Sequence, residues 1–176
     1  MSNSSAAPVI RTLKLEEWSI LREMRLRTLT QSPQAFGGNL ALESEWTPQQ
    51  WQDQLKKFDY VVASDSGKNL GGLSIETLEG DFGATCWIGS CWVDEAFRGQ
   101  GVLTSIISYL DSRAAEKHWQ IQGLGVWIDN LSAIAAYEKL GFVAMGPQVA
   151  SSSKPGNFYQ RMIRNVDAIA PKNHRE

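Results

Sequence analysis

The sequence predicts one α/β domain, and three observations predict it. The first is length: 176 residues suit a single domain with a sizeable core. The second is alternation, because helical stripes at 15–31 and 102–117 are set among shorter runs that read as strands. The third is the stretch from Cys91 to Ile107, where a strand ends, a glycine turn follows and a helix begins. Composition fits this class, with 43% hydrophobic and 20% charged residues.

The elements follow in order. Val9 to Lys14 alternates as a first strand. Leu15 to Gln31 has Leu15, Trp18, Leu21, Leu26 and Leu29 on one arc, which predicts a helix. Arg22 and Arg25 fall inside that arc and read as snorkelling along the core edge, or else as facing a cleft that the helix borders. Ser32-Pro33 ends the helix. Gln34 to Trp46 then reads as a mobile loop, and Thr47-Pro48 opens a short helix to Lys57. Tyr60 to Ala63 and Leu70 to Leu78 flank a Ser-Asp-Ser-Gly-Lys-Asn hairpin turn. Gly71-Gly72 is a candidate bulge. Ala84 to Val93 lacks clean alternation, as expected of a bulged strand or one buried on both faces. In the next helix Leu103, Ile106, Ile107, Leu110 and Ala114 form a core stripe. Leu124, Val126 and Ile128 alternate as a strand, and a short helix after Asn130 ends at Gly141. Phe142 to Met145 and Asn157 to Arg164 supply two last strands around a Ser-rich loop.

Charge and residue usage exclude several functions. A net charge of −2 and a pI near 5.7 give no pull toward nucleic acid or an anionic membrane. No apolar run reaches bilayer length. The small polar N-terminus lacks the features of a secretory signal. We read residues 1–7 as a disordered tail, 8–165 as the domain and 166–176 as a polar C-terminal tail. Cys86 and Cys91, five positions apart on one strand, lie roughly 16 Å apart and on opposite faces, too far for a disulfide. Free thiols predict a reducing, cytoplasmic setting. His118 and His174 are the chain's two histidines, which leaves little material for a metal site or for a nucleophile with a histidine base.

The Arg98-Gly99-Gln100-Gly101 turn carries the chemistry. Two glycines let the backbone bend and approach a ligand closely, and the helix behind offers unpaired N–H groups and a positive dipole end. Together these suit a phosphate or pyrophosphate. Downstream come the strand before Ile128, then Asn130, Tyr137 and Leu140-Gly141-Phe142. That order resembles the GNAT superfamily of N-acetyltransferases, whose pyrophosphate loop reads Gln/Arg-x-x-Gly-x-Gly/Ala. Leu103 stands where the family has Gly or Ala, and Glu95 where it often has Pro.

The resemblance implies a single-domain fold with a mixed, mostly antiparallel central sheet, helices on both faces and a splayed pair of central strands. It implies acetyl-CoA as co-substrate, held by Arg98, Gly99, Gln100, Gly101, Val102, Leu103 and Thr104, with no metal. Trp92 and Val93 would polarise the thioester carbonyl through their amides, and Asn130 would bond the pantetheine arm or cap its helix. Tyr137 matches the general acid, protonating the leaving thiolate. The strand that usually carries the base has no acid here, so Glu76 on the preceding strand is the first candidate, with Glu43 and Glu45 behind it as solvated carboxylates. Phe36, Trp46 and Trp51 suggest an aromatic wall for an amine acceptor, or else anchors for their helices. The expected state is a monomer or homodimer. The competing expectation is a non-catalytic acyl-CoA sensor on the same fold.

Overall fold

The computed structural model describes residues 7–169. Its strands are β1 (Val9–Thr12), β2 (Asp59–Asp65), β3 (Lys68–Thr77), β4 (Cys86–Val93), β5 (Ile121–Trp127), β6 (Val143–Ala150) and β7 (Phe158–Asn165). The helices are α1 (Trp18–Gln31), α2 (Leu40–Ser44), α3 (Pro48–Lys57), α4 (Val102–Lys117), α5 (Leu131–Lys139) and α6 (Val166–Ile169). One sheet of seven strands has the order β1-β2-β3-β4-β5-β7-β6. β4 and β5 run parallel, whereas β1–β2, β2–β3, β5–β7 and β6–β7 are antiparallel. The sheet is therefore mixed and mostly antiparallel. The parallel ladder covers Cys86 to Ile88 against Gln122 to Leu124, three pairs in strands of eight and seven residues.

Packing divides the chain into two compact units. The first runs to Glu76 and includes Gly89–Tyr109. Here the hairpin turn behaves as its residues dictate: Ser66 (φ 49) and Gly67 (φ 79) are both left-handed, and Asp65 pairs with Lys68. The β2–β3 register slips between Ala63 and Ser64, beside the glycine pair. Those glycines allow close approach. A Cβ on Gly71 would lie 2.6 Å from the Trp92 carbonyl oxygen, and one on Gly72 would lie 2.7 Å from that of Val61. Val61, Val62 and Ala63 are all buried, so both faces of β2 are covered. Leu13, Leu21, Met24, Trp51, Val62 and Trp92 make one core cluster, with Phe36 and Trp46 packed against it.

The second unit takes Thr77–Ile88 and the chain from Leu110 onward. β7 lies between β5 and β6, and its Arg164 holds the unit together. The Arg164 guanidinium donates to both Asp111 carboxylate oxygens (2.5 and 2.7 Å), to Gln122 Oε1 (3.1 Å) and to the Leu140 carbonyl at the end of α5 (2.7 Å). Gln122 is fully buried and returns a bond to Asp111, so the buried polar groups satisfy one another.

One expectation needs correction. The segment from Gln34 to Trp46 is ordered, with a 3-10 turn at Pro33–Ala35 and a short helix, α2. Asn39 caps that helix through a bond from the Leu42 amide to its Oδ1 (3.1 Å), and Glu43 is tied down as described below. At the other end, Val166–Ile169 forms a helical turn within the stretch assigned to the polar tail. The remaining tail residues, 1–6 and 170–176, lie outside the described residues.

Candidate active site

In the first unit, β4 delivers the chain to the glycine turn. Asp94 caps a 3-10 turn at Glu95–Phe97, its Oδ1 accepting from the Ala96 amide at 3.0 Å. Gly99 (φ 73) and Gly101 (φ 82) both adopt the left-handed region, where a Cβ is unfavourable. The turn's side chains bind its own scaffold. Arg98 donates to the Val93 carbonyl (2.9 Å) and to Ser32 Oγ (3.1 Å), and Gln100 donates to the Ala96 carbonyl (2.9 Å).

The main chain is left as the donor set. The first paired amide of the following helix is that of Ser105, which donates to the Gly101 carbonyl at 3.0 Å. The amides of Gly99, Gln100, Gly101, Val102, Leu103 and Thr104 have no partner among the described residues. Nothing lies within 4 Å of where a Cβ would stand on Gly99 or Gly101, so the turn opens onto space. Unpaired amides at the start of the 16-residue α4, with the helix dipole behind them, fit an anionic group such as a pyrophosphate. Val102 is buried and Leu103 half-buried, so Leu103 lies only partly in the core stripe.

Upstream on β4, Ser90 has φ 49 inside the strand, which is the bulge that the broken alternation suggested. Its Oγ accepts from Arg25 Nη1 at 3.2 Å. Arg25 also grips Glu43 with two bonds, Nε to Oε2 at 2.7 Å and Nη2 to Oε1 at 2.9 Å. Glu43 is only 5% exposed, so the expected solvated carboxylate is instead a buried partner of an arginine. Arg22 does stay near the surface, reaching the Ser44 carbonyl at 3.4 Å. Sequence reasoning missed the Arg25–Glu43–Ser90 cluster. Its one signal was an arginine inside an apolar helical arc.

A cavity of about 30 Å³ opens beside this cluster, lined by Arg25, Thr28, Tyr60, Ser90 and Trp92 with apolar neighbours. Burial pushes the Tyr60 phenol up to about 12, with Arg25 opposing and Glu43 adding to the rise. The buried Trp92 Nε1 has no hydrogen-bond partner among the described residues. Trp51 is 1% exposed and packs tilted against the half-buried Trp46, ring centroids 4.9 Å apart, while Phe36 is half-buried against the same core. Glu76 is half-buried on the β3 face shared with Gly72 and Ser74, and makes no ion pair among the described residues.

The second unit contains the other two predicted residues. Asn130 caps α5, its Oδ1 accepting from the Ala133 amide at 3.3 Å. Tyr137 is 9% exposed and packs edge-on to Phe142, with ring centroids 5.8 Å apart. Cys86 is fully buried, and burial pushes its thiol up to about 12. Among the described residues neither cysteine is in a disulfide. Among the described residues no helix is long and apolar enough to cross a membrane.

Three solved structures that share this fold carry acetyltransferase names. The ribosomal-protein-S5-alanine acetyltransferase from Vibrio fischeri superposes with a TM-score of 0.74 at 14% identity, covering 97% of this chain and 100% of its own. An acetyl transferase from Salmonella typhimurium that modifies the N-terminal serine of ribosomal protein L7/L12 gives 0.71 at 16% identity, with coverage of 92% and 96%. The yncA acetyltransferase structure of Salmonella typhimurium, which contains its cofactor acetyl-CoA, gives 0.69 at 17% identity, with coverage of 96% and 99%. At such identities the likeness shows the fold. No curated protein matches the chain. The family itself is shown by sequence, since residues 21–142 match the model of the acetyltransferase (GNAT) family. This chain belongs to that family and is an acyltransferase of the GNAT type.

Proposed function

We propose that this enzyme transfers acetyl from acetyl-CoA directly to a primary amine, with no covalent enzyme intermediate. The observation that carries the reading is the run of unpaired amides from Gly99 to Thr104, behind two left-handed glycines that open onto space. Acetyl-CoA supplies the activated thioester, and these amides and the α4 dipole hold its pyrophosphate. No lysine is required, because the donors are main-chain.

The remaining roles are assigned to named residues. The amides of Trp92 and Val93, just past the Ser90 bulge, polarise the thioester carbonyl, an effect worth about 3 kcal/mol per donor. Tyr137 protonates the departing thiolate; a phenol is protonated at neutral pH and suited to that step. Asn130, besides capping α5, presents its amide nitrogen to the pantetheine arm. Glu76 accepts the amine's proton, directly or through water; its carboxylate is not committed to an ion pair among the described residues. Glu43 is the poorer base, since both of its oxygens are engaged by Arg25. Phe36 and Trp46 form the acceptor wall, with Trp51 supporting them from the core.

An amine acceptor is supported by two of the structural relatives, whose acceptors are a protein alanine and an N-terminal serine. The test is release of free CoA from acetyl-CoA over a panel of small amines, amino acids and peptides with free N-termini. Once an acceptor is found, Tyr137→Phe is expected to lower kcat about 100-fold while the acetyl-CoA dissociation constant stays within about twofold. Unchanged kcat would remove Tyr137 from the mechanism. No release with any amine would contradict the direct-transfer reading.

A further inference from the structure

The Arg25–Glu43–Ser90 cluster does more than pack. Arg25 is on α1, Glu43 on α2 and Ser90 at the bulge of β4, so one guanidinium joins three elements of the same unit. The bonds to Glu43 are bidentate, the geometry that fixes orientation as well as distance. The bond to Ser90 reaches a non-glycine residue at φ 49, a position that needs outside support. The loop backbone is fitted to the pair as well. A Cβ on Gly38 would lie 2.3 Å from Arg25 Nη2 and 2.5 Å from Glu43 Oε1. A buried ion pair is a poor way to gain stability, because apolar residues of similar volume usually do as well or better. Its geometry is therefore the better explanation for it.

We propose that Arg25 is a positioning residue that couples the acceptor segment at Glu43 to the β4 bulge at Ser90, so that filling the donor site makes the acceptor segment open less often. The inference deepens the proposed function and rests on its donor site. Two and three residues past Ser90, Trp92 and Val93 are the carbonyl-polarising positions, and Arg98 ties the Val93 carbonyl to the glycine turn. Acetyl-CoA on that turn thus acts on the strand that Arg25 holds. The coupling runs from turn to strand to arginine to α2, and every link is within one unit.

The experiment is amide hydrogen exchange over residues 40–46 of the full chain, with and without saturating acetyl-CoA, with thermal melts alongside. In the unaltered protein acetyl-CoA is expected to slow exchange there at least about fivefold. In the double variant Arg25→Met/Glu43→Leu the slowing disappears, while the acetyl-CoA melt shift persists. Where that variant does not fold, Ser90→Ala serves, since it removes only the hydroxyl that receives Arg25 Nη1; it too is expected to lose most of the slowing and keep the shift. Full slowing in either folded variant would overturn the coupling, as would a melt shift without slowing in the unaltered protein. Absence of any melt shift in the unaltered protein would overturn the donor-site reading, and this inference with it.

Discussion

Gly99 and Gly101 sit at φ 73 and 82, and their role follows from that conformation alone. Since nothing lies within 4 Å of a Cβ at Gly101, Gly101→Ala tests backbone freedom without creating a clash. The cost of a left-handed alanine is about 1–2 kcal/mol. Its acetyl-CoA dissociation constant, measured by titration calorimetry, is expected to rise about tenfold. An unchanged constant would mean that the turn's conformation does not matter to the donor. These glycines were legible from sequence because a local turn demands them. Arg25 was not: its partners Glu43 and Ser90 are 18 and 65 residues away, and no local pattern marks such a meeting. Asn130 was legible as a cap for the same local reason as the glycines.

Among the elements, α4 and α3 were read correctly because periodicity and an N-cap with Pro are short-range signals. The hairpin β2–β3 was read through Ser66-Gly67, although its strands extend further than alternation suggested. The helix α2 was read as a loop. At five residues it is too short to show a period, and the ion pair through Glu43 that helps hold it comes from another helix. The Arg164 network is the second case, linking residues 53 and 42 positions apart. Removing one partner leaves an uncompensated buried charge, so Asp111→Ala is expected to destabilise by about 3–5 kcal/mol in urea unfolding. A loss below about 1 kcal/mol would show that water replaces the carboxylate readily.

For the whole molecule, the half-buried Tyr60 and the buried Cys86 both contribute to the response to alkaline pH. Cys86 and Tyr60 are both pushed up to about 12, above their ordinary values of 9.0 and 10.0. The unfolded chain therefore loses these protons first, and stability falls as pH rises. The decline is expected to begin near pH 9 with Cys86 and to steepen near pH 10 with Tyr60, each group contributing at most about 1.4 kcal/mol per pH unit. Thermal melts of the unaltered protein and Cys86→Ala between pH 8 and 11 check this. The variant should show a later onset, and an identical profile would clear Cys86 of the effect. The strand order and register of the sheet were only partly legible. Local alternation finds strands, but pairing over long separations decides their order.

The account rests on the donor turn, and the most direct test is a thermal melt with and without saturating acetyl-CoA. At a hundred times its dissociation constant the ligand stabilises by about 2.7 kcal/mol, a rise of several degrees for a domain of this size. A rise of that order, reduced to about half in Gly101→Ala at the same acetyl-CoA concentration, is the predicted result. No rise in the unaltered protein would contradict the assignment of the Gly99 to Thr104 amides as the acetyl-CoA site.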